Sequence, residues 1–462
     1  MTDLCFTLNG RPIEAREVDP RESLLHWLRD HGLTGTKEGC AEGECGACAV
    51  ALVTRNAAGQ TQYSPVNSCL LLMGAMAGQE VVTVEGIAPP DGLHPVQEDM
   101  VRRGGSQCGY CTPGFVVSLF SEYYRPDRTT YDPEAISGNL CRCTGYRPIR
   151  DVAQHLGRPD AADPHLVRLG RPAPTLQAAQ VTRGQARVER PVSLQQALVL
   201  AQEPGAKIIA GGTDLAVERN QRHVRWPLLI AIDAVEELRR VTWSDNALVI
   251  GAGVPLSEVE GHIHGRIPLL EQLFPLFSSR LIRNRATLGG NLANASPIGD
   301  GAPAFLALDA DVLLADAESE RSVSLAEFFV DYRETVLKAG ELITAVKIPL
   351  PLPSLSRFYK VSKRILDDIS TVAAAFSLRM EGSTIKAARF AYGGVAATPL
   401  RAQAAEAAVV GLPWNADTHR KARRALQGAF SPMGDHRGTQ AYREAMIGSL
   451  MDKFFAETGE GP

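Results

Sequence analysis

Residues 39–48 read GCAEGECGAC, which places Cys40, Cys45 and Cys48 in one glycine-rich loop. Three thiols cannot all pair off as disulfides, so this loop either holds a metal or depends on a fourth cysteine elsewhere. Cys69 lies downstream in the sequence and completes a set of four. The stretch therefore predicts a site at which four sulfurs come together.

The spacing within this first thiol set, C-x4-C-x2-C followed by a distant cysteine, is the plant-type [2Fe-2S] ferredoxin pattern. Gly39, Gly43 and Gly46 allow backbone conformations that a Cβ atom would forbid, as a loop wrapped closely around a cluster requires. Zinc binding and unrelated buried cysteines are the alternatives. Spacing, glycines and the distant Cys69 together favour the cluster.

A second set of four thiols follows in QCGYC at 107–111 and LCRCTGYR from residue 140. Its spacing is less diagnostic, and on spacing alone zinc remains an equal alternative to an iron–sulfur cluster. All nine cysteines lie at or before Cys143, so a thiol-rich front precedes a thiol-free body. The remaining cysteine, Cys5, is expected to be a small buried residue of the first strand.

Composition limits the classes of function. The chain has 462 residues, 45% hydrophobic content and a net charge of -4, which suggests about three or four domains and argues against a general nucleic-acid binder. No apolar run reaches the length of about 18 residues that a membrane span needs. The first residues lack the features of a signal peptide. We expect a soluble, cytoplasmic protein in which clustered thiols stay reduced.

Local patterns predict an α+β multidomain organisation. A hairpin around Asn9-Gly10 precedes a helix with Asp19 as N-cap, and further strands follow the cysteine loop. Short helices punctuated by Gly and Pro predict an all-helical second domain, and residues 158–190 show too little periodicity for more than a linker. The expected divisions are 1–87, 88–157, the linker 158–190, an α+β domain at 191–348 and a C-terminal domain at 349–462.

Two glycine pairs stand out in the body, in IIAGGTDL at 208–215 and in IRNRATLGGNLANASPIGD at 282–300. Paired glycines let backbone N–H groups approach phosphate oxygens, although either pair taken alone is more often an ordinary tight turn. The sequence has no G-x-G-x-x-G opening a helix, so a Rossmann dinucleotide site is not expected.

The two thiol sets, with SQCGYCTPG and GNLCRCTGY in the second, resemble the iron–sulfur part of the molybdenum hydroxylases, a family that includes xanthine dehydrogenase, aldehyde oxidase and carbon monoxide dehydrogenase. The resemblance implies a β-grasp ferredoxin domain, a helical-bundle [2Fe-2S] domain and a two-part FAD-binding domain. It also implies that Gln107 contacts a partner's molybdopterin. The implied cluster ligands are Cys40, Cys45, Cys48, Cys69, Cys108, Cys111, Cys141 and Cys143.

The body resembles the flavin domain of the same family, in which two glycine loops hold the FAD diphosphate. The alternatives are core packing for Phe277, a helix N-cap for Asp300 and an ordinary surface lysine for Lys360. The implied FAD contacts are Ile208, Ile209, Ala210, Gly211, Gly212, Thr213, Asp214, Leu215, Phe277, Thr287, Leu288, Gly289, Gly290, Asn291, Asp300, Ile343 and Lys360.

The order of clusters and then flavin is similar to that of the small subunit of two-chain bacterial xanthine dehydrogenases. The implied function is electron transfer from a partner's molybdenum centre through two [2Fe-2S] clusters to FAD, which reduces NAD+ as hypoxanthine or xanthine is oxidised to urate. No catalytic acid, base or nucleophile is then expected in this chain. The implied assembly is a heterotetramer of two small and two large chains. The alternatives are an aldehyde or N-heterocycle hydroxylase of this family, and a non-enzymatic zinc-binding interaction protein.

Overall fold

The computed structural model describes residues 4–459. These residues form two compact units, which are described separately. The first comprises the chain up to Glu236 together with Pro255–His262 and Ser279–Ala286. The second comprises Glu237–Val254, Ile263–Ser278 and the chain from Thr287 onward.

The first unit opens with a five-stranded sheet in the order β2-β1-β5-β3-β4. Strand β1 pairs parallel with β5, while the other neighbours are antiparallel, and this arrangement is the predicted β-grasp fold. Its elements are β1 Leu4–Leu8, β2 Arg11–Ala15, α1 Leu24–Asp30, β3 Ala49–Arg55, β4 Thr61–Asn67 and β5 Glu80–Val82, with short 3-10 turns at Ser68–Leu70, Met73–Ala75 and Val84–Gly86.

The predicted β1–β2 hairpin is confirmed, with Asn9 and Gly10 both in the left-handed region at φ 51° and 75°. Leu4, Phe6 and Leu8 face the core of this domain. The prediction for Cys5 is wrong, because strand alternation places it on the opposite, exposed face.

The start predicted for α1 is also wrong. The helix begins at Leu24 with Ser23 as its N-cap, and the Ser23 hydroxyl accepts a hydrogen bond from the backbone N–H of His26. Asp19 instead accepts from the backbone and guanidinium of Arg21 in a separate turn. The backbone N–H of Leu24 donates to Leu71, so tertiary pairing fixes where this helix begins.

The second domain is helical, as predicted. The central helix α3 is buried along most of its length and packs beside the first sheet in a core that contains Val53 and Phe120. A 3-10 turn, Pro133–Ile136, lies between α3 and α4. The α-helices are α2 Pro95–Arg102, α3 Thr112–Tyr123 and α4 Arg147–Gln154.

The prediction of a linker at 158–190 is wrong for part of its length. Residues 164–169 form a short helix, and residues 179–190 form two strands of a four-stranded sheet in the order β6-β7-β9-β8. Only Val181, Ala186 and Val188 give these strands an apolar face, so the sequence signal is weak. The elements are α5 Pro164–Leu169, β6 Ala179–Arg183, β7 Ala186–Arg190, α6 Leu194–Ala201, β8 Ala206–Ile209, α7 Leu215–Arg222 and β9 Leu228–Ala231.

A buried arginine joins this sheet to the β-grasp domain within the first unit. The Arg190 guanidinium donates to Asp233 at 2.9 Å and to the backbone carbonyls of Ala75 and Ala77. Burying a charge is tolerable only when it is paired and its hydrogen bonds are satisfied, so these partners hold the two sheets in a defined arrangement.

The second unit contains two larger sheets and a short hairpin, in the orders β10-β11-β16-β12-β13, β17-β18-β19-β20 and β14-β15. Its strands are β10 Val241–Trp243, β11 Ala247–Gly251, β12 Asp311–Ala315, β13 Glu320–Ser324, β14 Phe329–Asp331, β15 Glu334–Thr335, β16 Leu342–Pro349, β17 Leu355–Val361, β18 Val372–Glu381, β19 Thr384–Gly393 and β20 Leu400–Arg401.

Nine further helices follow in the described part of the chain, of which α10 and all of α8 except Ile263 belong to the first unit. A 3-10 turn spans Glu236–Arg239 and another Phe274–Leu276. The helices are α8 Leu256–Ile263, α9 Pro268–Leu273, α10 Arg280–Arg283, α11 Leu288–Ala293, α12 Gly301–Ala307, α13 Leu325–Phe328, α14 Gln403–Ala407, α15 Ala416–Ala425 and α16 Gln440–Thr458.

Among residues 4–459, no helix combines the length and the apolar character needed to cross a membrane.

The helical domain contains a buried histidine that makes its stability depend on pH. The Nδ1 atom of His94 accepts from the N–H of Val96, so Nε2 donates to the Tyr124 hydroxyl, which in turn donates to Asp163. Tyr123, Phe120 and His165 complete its surroundings. Burial first, and then the neighbouring His165, lower the pKa of His94 from 6.5 to about 4.

We predict that His94→Asn weakens the acid destabilisation of this chain. Between the two pKa values the unfolded chain binds more protons than the folded one, so stability falls as the pH drops from about 6.5 towards 4. Asparagine retains the helix cap but does not titrate. Thermal unfolding at about pH 7 and about pH 5 tests this, and equal midpoint shifts in the two proteins would contradict it.

Candidate functional site

The first thiol set lies in two hydrogen-bonded pairs. The sulfurs of Cys48 and Cys69 are 3.3 Å apart and buried, and Cys40 is hydrogen-bonded to Cys45. Among residues 4–459, no group of three or more potential ligand side chains converges as a single-ion site requires. Two pairs suit a [2Fe-2S] cluster, because each of its two irons takes two cysteine sulfurs and shares bridging sulfides.

In each pair, the hydrogen bond between the thiols lowers the pKa of one sulfur and raises that of the other. The hydrogen bond from Cys45 lowers the pKa of Cys40 to about 5, against the opposing effect of burial, and the pKa of Cys45 rises correspondingly. In the same way, the hydrogen bond between Cys48 and Cys69 lowers the pKa of Cys48 and raises that of Cys69. Thiolate is the form that binds metal, so this donor set fits an iron–sulfur cluster.

The loop that carries three of these thiols has no room for larger residues at two of its glycines. A Cβ atom on Gly39 would lie 2.7 Å from the Cys45 sulfur, and one on Gly46 would lie 2.1 Å from the carbonyl oxygen of Gly138. Gly46 is also in the left-handed region, at φ 65°. The predicted role of these glycines in a tightly wrapped loop is therefore consistent with their packing.

The second thiol set is also paired. A hydrogen bond joins Cys108 to Cys143, and another joins Cys111 to Cys141. The Cys141 sulfur accepts from the backbone N–H of Thr144 at 3.4 Å. Cys108 and Cys143 are exposed, whereas Cys141 is buried, so one side of this set faces solvent. Gln107, which precedes Cys108, is exposed too.

A backbone hydrogen bond connects the two sets directly. The N–H of Leu140, the residue before Cys141, donates to the carbonyl oxygen of Cys45 at 3.0 Å. The side-chain amide of Asn139 donates to the carbonyl of Gly46 at 3.2 Å, and its own oxygen accepts from the Ser118 hydroxyl. One short path, through the hydrogen bond between Leu140 and Cys45, thus connects Cys141 of the second set to Cys45 of the first.

The first glycine pair lies between β8 and α7. A Cβ atom on Gly211 would lie 2.0 Å from the carbonyl oxygen of Arg285, and Gly212 has φ 80°. The backbone N–H groups of Gly211, Gly212 and Thr213 have no acceptor among residues 4–459. Unsatisfied N–H groups on a glycine turn form a concavity that suits an anion, so this loop fits a diphosphate.

The first glycine loop and the first thiol set share one apolar core. Cys48 and Cys69 pack in the same cluster of buried side chains as Ile209 and Ala216, which flank the loop. A Cβ atom on Gly212 would lie 3.2 Å from the carbonyl of Leu70, next to Cys69. The first thiol set therefore adjoins the candidate diphosphate loop. In the remainder of that loop, Ile208, Ala210, Asp214 and Leu215 lie at least partly at the surface.

The second glycine pair belongs to the second unit and forms the start of α11. Thr287 is its N-cap, with a hydroxyl that accepts from the N–H of Gly290 at 3.1 Å, and Leu288 is buried. A Cβ atom on Gly289 would lie 2.6 Å from that of Ala252. The Asn291 side chain lies against Gly301, whose Cβ position would be 2.5 Å from the amide oxygen.

The second unit also brings Asp300 and Lys360 together. The Lys360 ammonium donates to the Asp300 carboxylate at 2.8 Å and to the carbonyl of Leu276 at 2.7 Å, and the Ser370 hydroxyl donates to the other carboxylate oxygen. Lys360 is thus not a surface lysine, and the Asp300 side chain makes no capping bond to α12. Phe277 and Ile343 are buried in the same unit, at 9% and 6% exposure.

Four amide side chains that support the thiol loops were missed by sequence reasoning. Asn67 donates to Gly43, Asn139 to Gly46, Asn220 to Ala41 and Cys69, and Gln221 to Cys40, always at backbone carbonyls. Asn220 and Gln221 are far from the cysteines along the chain. No local motif could have indicated their role.

Four family models match successive parts of the chain. They are a 2Fe-2S iron-sulfur cluster binding domain at residues 6–73, a [2Fe-2S] binding domain at 83–154, an FAD binding domain in molybdopterin dehydrogenase at 183–351 and a CO dehydrogenase flavoprotein C-terminal domain at 357–458. The chain belongs to the molybdenum hydroxylase family. The predicted order of domains is confirmed, and the match to the FAD binding domain includes strand β7, which lies within the predicted linker.

Curated members of the molybdenum hydroxylase family extend beyond this chain. Xanthine dehydrogenase of Emericella nidulans is 32% identical over 88% of this chain and 35% of its own length. Xanthine dehydrogenase of Drosophila subobscura is 33% identical over 98% of this chain and 39% of its own length. The chain thus spans less than half the length of these relatives.

Solved structures of the family match a shorter part of the chain. Carbon monoxide dehydrogenase from Hydrogenophaga pseudoflava matches with a TM-score of 0.55 and 28% identity, over 59% of this chain and 96% of that one. Quinoline 2-oxidoreductase from Pseudomonas putida 86 matches with a TM-score of 0.53 and 30% identity, over 58% of this chain and 95% of that one.

We predict that Gly211→Ala lowers the FAD content of the purified chain several-fold. The added methyl group would collide with the Arg285 carbonyl, so the loop must shift and its N–H groups turn away. Gly92→Ala is the matched control, because its Cβ position has no atom within 4 Å. Flavin is released by denaturation and measured by absorbance. Equal FAD content in both variants would contradict the role of this loop.

Proposed function

We propose that this chain is the electron-transfer part of an NAD+-dependent xanthine dehydrogenase, with the molybdenum centre on a partner chain. The observation that carries the proposal is the paired thiol arrangement, in which two sets of four sulfurs are linked to each other and the first adjoins the glycine loop of the flavin domain. We place the protein in the cytoplasm, where such thiols stay reduced.

The eight paired cysteines are the proposed ligands of two [2Fe-2S] clusters. Cys40 and Cys45 would hold one iron and Cys48 and Cys69 the other, with the second set divided in the same manner. When bound, the clusters carry single electrons, and flavin converts these into hydride transfer to NAD+. This chain's own residues contribute the sulfur donors, the connecting backbone path and the exclusion of water around Cys48 and Cys69.

The burial of the two sets supports an order of transfer. Cys108 and Cys143 of the second set are exposed, so a partner has access to that set. Cys48 and Cys69 are buried beside the flavin loop. Electrons from the partner would therefore enter at the second set, cross the Leu140–Cys45 hydrogen bond and leave from the first set.

The flavin contacts inferred from family resemblance remain part of the proposal. Residues 208–215 and 287–291 would contact the diphosphate, and Phe277 would stack near the adenine. Asp300 would bind sugar or ribityl hydroxyls, and its pairing with buried Lys360 would hold the carboxylate in place. Ile343 would contact the flavin as well. We propose the domain limits 1–87, 88–157, 191–348 and 349–462. The four-stranded sheet of the flavin domain begins earlier, at β6.

The substrate class rests on the extent of the resemblance. The xanthine dehydrogenases of Emericella nidulans and Drosophila subobscura match 88% and 98% of this chain, so they include both cluster domains and the flavin domain. The carbon monoxide dehydrogenase and quinoline 2-oxidoreductase chains match only 59% and 58% of it. We propose that a large partner chain carries the molybdenum centre and that the assembly is an α2β2 heterotetramer.

A second candidate is the same module in an aldehyde or N-heterocycle hydroxylase. The similarity to quinoline 2-oxidoreductase favours it, since that enzyme's name specifies an N-heterocyclic substrate. A non-enzymatic zinc-binding protein is the alternative from another class. In such a protein each set of four sulfurs would bind one zinc ion, whereas in a [2Fe-2S] protein each set would bind two irons.

We predict that the native complex, purified with its partner, reduces NAD+ anaerobically when xanthine is added. Cys45→Ser should abolish NADH formation because it removes one of the four proposed sulfur ligands of the first cluster, whereas Cys5→Ser should not, because Cys5 is exposed and belongs to neither thiol set. NADH absorbance and urate are measured together. Turnover of quinoline or an aldehyde without xanthine would favour the second candidate, and failure of every substrate to reduce NAD+ would contradict the proposal.

A further inference from the structure

Helix α7 connects the candidate flavin loop to the first thiol set. It begins at Leu215, three residues after Gly212, and Asn220 lies in its second turn. The Asn220 side-chain nitrogen donates to the carbonyl of Ala41 and to the carbonyl of Cys69, both at 2.9 Å. One amide thus bridges the loop of Cys40 and the separate segment that carries Cys69.

We propose that Asn220 is a positioning residue that raises the reduction potential of the first cluster and sets the distance between its two ligand segments. The inference rests on the proposed function, because it assumes that the first thiol set binds a [2Fe-2S] cluster. It assigns a role to a side chain of the flavin domain that is not itself a ligand.

The path from Asn220 to a ligand sulfur runs through one peptide group. The carbonyl of Ala41 accepts from Asn220, and the N–H of the same peptide, that of Glu42, donates to the Cys40 sulfur at 3.5 Å. Hydrogen bonds in such a chain polarise and strengthen one another. N–H donors to a sulfur ligand stabilise the added negative charge of a reduced cluster and so raise its potential.

The orientation of the amide is fixed by its neighbours. The Arg219 guanidinium donates to the Asn220 amide oxygen at 3.2 Å, so the nitrogen must face the two carbonyls. The next residue, Gln221, donates to the carbonyl of Cys40 at 3.0 Å. Ala41, between these contacts, is held at φ 58°, a conformation that is uncommon for alanine and needs such support.

The helix also explains why this role belongs to the flavin domain. Ala216, one turn before Asn220, packs in the core that contains Cys48 and Cys69. A single rigid element therefore carries the loop that fits the FAD diphosphate at one end and the amide that orients the thiol set at the other.

The test is a redox titration of the native complex by electron paramagnetic resonance, in which the two clusters give separate signals. Asn220→Leu has nearly the same shape but no donor, and Asn220→Asp exchanges the donor for a carboxylate. We expect either variant to lower the reduction potential of the first cluster by about 28 to 59 mV, which corresponds to a threefold to tenfold change in its one-electron reduction equilibrium. The reduction potential of the second cluster should not change.

The matched control is Asn284→Leu, since Asn284 also donates to a carbonyl of the β-grasp domain, that of Pro65 at 2.8 Å, but not within the thiol loop. If Asn220→Leu loses iron, the titration is made on Asn220→Asp. The inference alone would be overturned if a variant with full iron content showed an unchanged reduction potential of the first cluster, or an equal shift of the potentials of both clusters. Absence of iron from the unmodified chain would contradict the proposed function and the inference with it.

Discussion

The close approach of two backbone segments at Gly46 is the constraint on which the site depends. With no side chain at Gly46, the Gly138 carbonyl lies against the thiol loop, and the N–H of Leu140 reaches the carbonyl of Cys45. A β-grasp domain and a helical domain that folded separately would not hold their cysteines at a fixed distance from each other. The contact at Gly46 fixes that distance, and it places candidate ligands of both sets on one hydrogen-bonded path.

Contacts of the β-grasp domain also fix the flavin side of the first unit. Arg190, buried between the sheets, fixes the strand β7 against the β-grasp domain, and α7 brings its amides to the thiol loop. The sulfurs of Cys48 and Cys69 consequently lie in a dry core beside the glycine loop. Electron transfer depends on short, fixed distances between the redox groups and does not require an acid or a base. The contacts within this unit fix the distance between the first thiol set and the glycine loop.

Sequence reasoning succeeded for those parts of the fold that a local pattern indicates. The Asn9-Gly10 turn predicted the β1–β2 hairpin, and the two thiol spacings predicted the domains that the 2Fe-2S family models match. The roles of the single cysteines and of the glycines of 208–215 stay predictions. Sequence reasoning failed where tertiary contacts decide: Ser23 rather than Asp19 caps α1 because Leu24 pairs with Leu71. Strands β6 and β7 have few apolar residues, and they are held in the sheet by pairing with each other and by the pairing of β7 with β9. Asn220 is invisible without the fold, since its partners are distant in sequence.

The most direct test of the account is a joint measurement of iron, acid-labile sulfide, zinc and flavin in the chain purified under native conditions. Two paired thiol sets, of which the first adjoins a flavin loop, predict about four irons, about four sulfides and about one FAD per chain, with negligible zinc. About one zinc per thiol set, without sulfide or flavin, would contradict the account, because it would mean that each set closes around a single ion.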